Sequence, residues 1–213
     1  MKAIIFDLDG VIVHTDVYHY KAWKKLADRL GLYFDERINN RLRGISRLDS
    51  LEIVLENSEL SRLPVAEKTA LATEKNETYK ELLRAMTPAD LSPEVRDTLR
   101  TLRERGCRMA IGSSSRNARL ILDKIGLGNF FDAVSDGNNI TNSKPDPEVF
   151  LKAAEFLGAS PDACVVVEDA DAGIEAAHRA GMKAIAMGDA VQHGNGDWNI
   201  ESFKDILTVM ENA

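Results

Sequence analysis

Apolar and polar positions fall into three regimes along the chain. The first is a short apolar run, Ala3-Ile4-Ile5-Phe6, which ends on Asp7 and Asp9 and reads as a strand. The second covers residues 18–85 and shows helical spacing without β-branched runs. Trp23, Leu26, Ala27 and Leu30 fall at i, i+3, i+4 and i+7 on one helix face, and Gly31 stops that helix in the C′ manner. Asp35 is placed to cap a second helix reaching Leu42, with Gly44 ending it. Leu48, Leu51 and Leu55 mark a third, and Pro64 opens a fourth over 65–85. Pro88 and Pro93 then bracket a break.

In the third regime helices and apolar strands alternate. A helix over 95–105 precedes a strand over 107–111, and a helix over 117–125 precedes a short apolar stretch at 130–134. A helix over 147–157 leads to the strongest strand, Cys164-Val165-Val166-Val167, followed by a helix over 173–180 and a strand over 184–187. Residues 188–199 read as loop and 200–210 as a final helix. Such alternation predicts βαβ units on a parallel sheet covered on both faces. The expected architecture is α/β: a Rossmann-like parallel sheet core, 1–14 and 88–213, interrupted by an inserted all-helical cap domain over 15–87. The insertion follows the first strand, at the edge where open α/β sheets bind ligands, so it is placed to cover a site.

Composition narrows the class. In 213 residues, 34 acidic and 27 basic side chains give a net charge of −7, with 44% hydrophobic and 29% charged residues. These are globular values and exclude disordered or low-complexity chains. The acidic balance argues against nucleic acid, which requires clustered Lys and Arg. No apolar run is long enough to cross a membrane, and Asp7 and Asp9 cut the N-terminal run as no secretory leader would. Cys107 and Cys164, far apart in apolar runs, read as buried free thiols of a reducing compartment. The expected setting is therefore the cytoplasm, with no nucleic-acid or membrane partner.

Candidate chemistry gathers at the predicted strand ends. Phe6-Asp7-Leu8-Asp9-Gly10 puts two carboxylates at i and i+2, with a glycine that permits a tight turn. Gly112-Ser113-Ser114-Ser115-Arg116-Asn117 opens a helix with hydroxyl and backbone donors, a ready anion site. Glu168-Asp169 follows the strongest strand, and Lys144 precedes Pro145 and Asp146. Taken singly, each is an ordinary turn, cap or solvated loop. Together they stand where parallel strands end, so they read as one site. Four carboxylates with no His or Cys beside them call for a hard cation, and Mg²⁺ suits such oxygen ligands.

The order Asp-x-Asp-Gly, apolar-Ser, Lys-Pro, Glu-Asp resembles the four motifs of the haloacid dehalogenase superfamily of phosphotransferases, over essentially the whole chain. Thr15, His19, Trp23, Gly44-Ile45-Ser46-Arg47, the 113–117 segment and Ser143-Lys144-Pro145-Asp146-Pro147 resemble a narrower branch. Its members move a phosphoryl group between two hydroxyls of a glucose phosphate through a bisphosphate intermediate. The resemblance implies that Asp7 is the nucleophile and Asp9 the general acid and base. It implies Mg²⁺ held by Asp7, the backbone carbonyl of Asp9 and Asp169, with Glu168 beside it partly through water. Ser113 and Lys144 would bind the transferring phosphoryl group. Arg47 and Gly44 from the cap, with Ser115, Arg116 and Asn117, would hold the other end of the substrate. Thr15 would orient Asp9 on closure, His19 would stand at the hinge beside it, and Trp23 would form a wall that excludes water. A guanidinium at Arg47 is what separates a mutase from the runner-up, a sugar-phosphate phosphatase of the same superfamily, because only the mutase needs a second phosphate site. Two departures stand out: His14 where relatives often carry Asp, and Ala170 where Ser is common. The partners implied are small sugar phosphates, acted on by a monomer.

Overall fold

The structure is a computed structural model that describes residues 3–42 and 45–212. Six parallel strands form one sheet: β1 (Ala3–Phe6), β2 (Arg108–Gly112), β3 (Ala133–Ser135), β4 (Cys164–Glu168), β5 (Lys183–Ala186) and β6 (Trp198–Asn199). Their spatial order is β3-β2-β1-β4-β5-β6. The chain runs outward from β1 to β3, then returns to start again at β4 on the other side of β1. Ligands bind in the crevice at that reversal, beyond the carboxyl ends of β1 and β4. Ile4 pairs with Met109 on one side and Val165 on the other, so the motifs that follow these strands emerge level with one another.

Both sheet faces are buried, which explains the continuous apolar runs. Ile4, Phe6, Met109, Ile111, Val165 and Val167 point into one core, shared with α5 (Pro93–Glu104), α6 (Ala118–Lys124) and α9 (Ile206–Asn212). Ala3, Ile5, Ala110 and Val166 point the other way, against α7 (Glu148–Leu157) and α8 (Asp171–Arg179). Many of the latter are alanines, so these two helices lie close to the sheet. At Gly112 a Cβ would stand 2.7 Å from the Phe150 ring, so only glycine lets that ring pack there.

Between β1 and α5 the described chain is helical: α1 (Asp16–Arg29), α2 (Glu36–Asn40), α3 (Arg47–Leu55) and α4 (Val65–Leu83). Asp35 caps α2 by accepting from the Ile38 N–H at 2.9 Å. Trp23, Leu26, Ala27, Phe34, Leu51, Leu55 and Ala72 make a separate core within this layer.

Several expected boundaries move. The second helix stops at Asn40, not Leu42. The final α-helix begins at Ile206, not 200, after a 3-10 turn over Phe203–Asp205. The 188–199 stretch is not all loop: Trp198–Asn199 adds an edge strand to β5, following a 3-10 segment over Gly188–His193. Two residues held by backbone pairing leave no period for a sequence pattern to show. Cys164 is buried as expected, but Cys107 is only half-buried.

Phe150 is fully buried beneath the sheet, and Lys144 Nζ stands 4.8 Å from the centre of its ring. Phe150→Ala is expected to lower the unfolding free energy by about 3–5 kcal/mol in urea denaturation. A loss under about 1 kcal/mol would mean that this layer is not packed as described.

Candidate active site

Asp7 sits one residue past β1, and its N–H donates to the Val167 carbonyl at 2.9 Å, continuing the ladder with β4. The chain then turns sharply: the Gly10 N–H donates to the Val13 carbonyl at 2.8 Å, with Gly10 at φ 94°. The two carboxylates therefore do not project from one strand. They lie on the turn after it and take different partners. Asp7 meets the ammonium of Lys144, which also bonds Glu168. Asp9 accepts from the hydroxyl of Thr15, which is completely buried at the start of the helical layer.

Glu168 closes β4, and both oxygens of its carboxylate have partners. Oε2 accepts the N–H groups of Asp169 at 2.9 Å and Ala170 at 3.1 Å, while Oε1 faces Lys144. Asp7, Glu168 and Asp169 each bring one oxygen within 4.8 Å of the others. Two glycines make room for this crowding. A Cβ on Gly10 would overlap the Asp169 carboxylate, and one on Gly173 would overlap Glu168. A set of close, hard oxygens in a fitted cradle suits Mg²⁺.

Charge shapes the proton affinities. Burial raises Asp7 above the usual carboxylate range; Lys144 opposes this, while Glu168 and Asp9 add to it. Burial also works against the Lys144 cation, but Asp7 and Glu168 outweigh it and keep the ammonium protonated. Asp9 is lifted by burial to about 6, against the lowering effect of its Thr15 hydrogen bond. A carboxyl that titrates there can give or take a proton near neutral pH.

On the next strand, Ser113 continues β2, its N–H donating to the Ser135 carbonyl at 3.0 Å. The loop that follows differs from a simple row of free donors. Ser113 Oγ accepts from the Ser115 N–H at 3.1 Å, and Ser115 Oγ accepts from the Asn117 N–H at 3.2 Å. Those two amides are occupied by hydroxyls of the loop itself, and residues 113–117 all line the cavity.

The helical layer supplies the opposite wall of a cavity of about 340 Å³. Asp7, Asp9, His19, Trp23, Arg47, Ser113, Ser115, Arg116, Asn117, Lys144, Glu168 and Asp169 all line it. Thr15 lies beneath, reached through Asp9, and Gly44 lies outside the described residues. Arg47 begins α3 and is half-buried, near enough to Arg116 for the two cations to repel.

Sequence reasoning missed Lys75, Asn76 and Tyr79. All three are buried on α4, with Ala72 and Leu83 on the same stripe. Lys75 Nζ lies 2.8 Å from His19 Nδ1 and 4.7 Å from the ring centres of both Trp23 and Tyr79. The His19 and Tyr79 rings are 4.0 Å apart. Among the described residues no carboxylate forms an ion pair with Lys75, and Asp9 acts on it at longer range. Burial, then Lys75 and Arg47, hold His19 well below its usual value. Burial, then Arg47, likewise depress Lys75, with Asp9 opposing. A lysine and an asparagine at i+3 and i+4 from Ala72, followed by Tyr79 at i+7, are the one trace of this stripe in the sequence.

A parallel sheet bearing an acidic cluster and a lysine at its switch point, under an inserted helical layer, defines an α/β enzyme of haloacid dehalogenase type. The chain belongs to that family: haloacid dehalogenase-like hydrolases match it over residues 1–181. It is 40% identical over 207 residues to the β-phosphoglucomutase of Bacillus subtilis, covering 97% of this chain and 92% of that one. A crystal structure of β-phosphoglucomutase from Clostridium difficile superposes with a TM-score of 0.93 at 34% identity, covering 99% and 96% of the two chains. The chain is also 32% identical over 187 residues to a phosphorylated carbohydrates phosphatase of Thermotoga maritima, covering 87% and 84%. No helix among the described residues is long and apolar enough to cross a membrane.

The depressed His19 is directly measurable. Its imidazole is expected to stay neutral in ¹H–¹⁵N NMR as the pH passes down through the ordinary histidine value, and Lys75→Met is expected to move its midpoint upward. A midpoint at the ordinary histidine value, unchanged by Lys75→Met, would contradict this geometry.

Proposed function

We propose that the protein is a Mg²⁺-dependent β-phosphoglucomutase, interconverting β-glucose 1-phosphate and glucose 6-phosphate through β-glucose 1,6-bisphosphate. One observation carries this reading over the phosphatase: cationic side chains reach the cavity from both layers. Lys144 stands among the core carboxylates, and Arg47 comes from α3 of the helical layer, near Arg116 of the 113–117 loop. A second phosphate on the substrate would meet that guanidinium pair, which hydrolysis of a monophosphate does not need. The identity to the Bacillus relative supports the same choice.

In this reading Asp7, Asp169 and the Asp9 backbone carbonyl would hold Mg²⁺, with Glu168 beside it. The bound ion would offset negative charge on the transferring phosphoryl group and on Asp7. An Asp7 oxygen bonds to phosphorus as the bond from phosphorus to the sugar oxygen breaks, and Asp9 gives that oxygen its proton. In the second half, Asp9 takes the proton of the incoming hydroxyl, which bonds to phosphorus and restores the Asp7 carboxylate. Lys144 bears on the same Asp7 and Glu168 charges throughout. Thr15 holds Asp9 in place, and His19 with Lys75 presents a polar, cationic edge to the sugar. Trp23 closes the wall against water. The bisphosphate formed in the second half exchanges its ends before Asp7 takes a phosphoryl group again, so Arg47, Ser115, Arg116 and Asn117 grip in one round the phosphate that is transferred in the next. The reading extends to a reducing compartment, the cytoplasm, where Cys107 and Cys164 stay free thiols.

A ³¹P NMR time course with β-glucose 1-phosphate, Mg²⁺ and bisphosphate primer separates the readings. Glucose 6-phosphate is expected to accumulate; inorganic phosphate as the main product would favour the phosphatase, and no reaction would exclude both. Asp7→Ala is expected to abolish turnover. Arg47→Ala is expected to reduce kcat/KM for isomerisation by about 10- to 100-fold, the worth of a charged hydrogen bond, and phosphate release far less. Because burial raises Asp7, acid returns a proton to a carboxylate that must be ionised to hold the metal. Mg²⁺ affinity measured calorimetrically is therefore expected to fall as pH falls. Affinity independent of pH would place the ion elsewhere.

A further inference from the structure

Asn76 and Asn117 are both buried, and they come from different layers. Asn76 lies on α4, and Asn117 ends the 113–117 loop of the core at the start of α6. The Asn117 Nδ2 donates to the Asn76 Oδ1 at 2.9 Å. The bond therefore crosses the seam between the helical layer and the sheet domain, and both residues line the cavity. Buried amides are costly unless paired, so each holds the other in place while the seam is shut.

The chemistry of Asn117 makes the pairing consequential. Its backbone N–H is already taken by Ser115 Oγ. What it can offer a ligand is its side-chain amide, which has two N–H donors. Asn76 accepts one and so fixes the plane in which the other points. Asn76 is also the neighbour of Lys75, so the same turn of α4 carries the buried cation and the amide that docks to the core.

We infer that Asn76 is a positioning residue, whose side-chain carbonyl latches α4 to the phosphate-side loop through Asn117 and keeps water from phosphorylated Asp7. This rests on the phosphoryl-transfer reading above. In the leak that it prevents, a water oxygen bonds to phosphorus and the bond from phosphorus to the Asp7 oxygen breaks. The Asp7 carboxylate is restored, and the proton lost by water passes to Asp9.

The test uses the full chain with Mg²⁺, phosphorylated by acetyl phosphate, and follows phosphoenzyme lifetime by rapid quench. Thermal midpoints are measured alongside. Asn76→Ala is expected to shorten the lifetime about five-fold, the worth of one ordinary hydrogen bond, and to raise KM for sugar phosphate more than it lowers kcat. Asn76→Asp keeps an acceptor oxygen in the same position and is expected to restore the wild-type lifetime. Asn76→Leu, of similar shape without the acceptor, is expected to behave as alanine does and replaces it should that variant fail to fold. A wild-type lifetime in folded Asn76→Ala or Asn76→Leu would overturn the inference, as would an aspartate variant no better than alanine. Should the wild type release only inorganic phosphate, the mutase reading fails, yet the ratio of lifetimes still decides the role of Asn76.

Discussion

Crowding of like charge at one end of a buried sheet is the constraint on which the rest of the structure depends. Asp7, Glu168 and Asp169 bring oxygens within 4.8 Å of one another, and Asp7 and Glu168 are almost wholly removed from water. Carboxylates in that position repel, and burial penalises each of them. Lys144 answers part of this by bonding both Asp7 and Glu168, and the two N–H groups on Glu168 Oε2 answer another part. One ammonium does not balance three carboxylates. On the proposed reading, the remaining imbalance would draw a divalent cation to the site and let Asp7 ionise once that cation is bound.

The helical layer carries the complementary imbalance. Lys75 is buried with aromatic rings and an imidazole for neighbours, and Arg47 faces the same space, where Arg116 of the core loop joins it. Each wall alone is electrostatically unfavourable. On the proposed reading, a phosphorylated sugar placed between them would meet cations on the helical side and the nucleophile on the core side. A filled cavity would also exclude water, the competing acceptor for a phosphoryl group on Asp7. A single arrangement thereby favours sugar over solvent.

The core half of this site was legible in the sequence because its residues follow apolar strands whose ends are unmistakable. Asp7 follows Phe6, Glu168 follows Val167 and Ser113 follows the run that ends in Ile111 and Gly112. Parallel pairing then brings them level, as the register of β1 with β2 and β4 requires. The cap half was legible only where family resemblance supplied it. Lys75 and Asn76 sit within Glu74-Lys75-Asn76-Glu77, which reads as a solvated helix face. They are buried because α4 docks against α1 and the core, a tertiary outcome that helical periodicity does not specify. The Trp198–Asn199 edge strand was hidden for a related reason: its identity lies in backbone bonds to β5 and in nothing about its side chains.

The central claim is that Asp7 is the phosphoryl acceptor within this cluster. A crystal structure grown with Mg²⁺ and aluminium fluoride tests it most directly. The expected result is a fluoroaluminate joined to an Asp7 oxygen, with Lys144 and Ser113 on its fluorines and the metal between Asp7 and Asp169. An adduct bound away from Asp7, or no adduct with Mg²⁺ in place, would contradict the account.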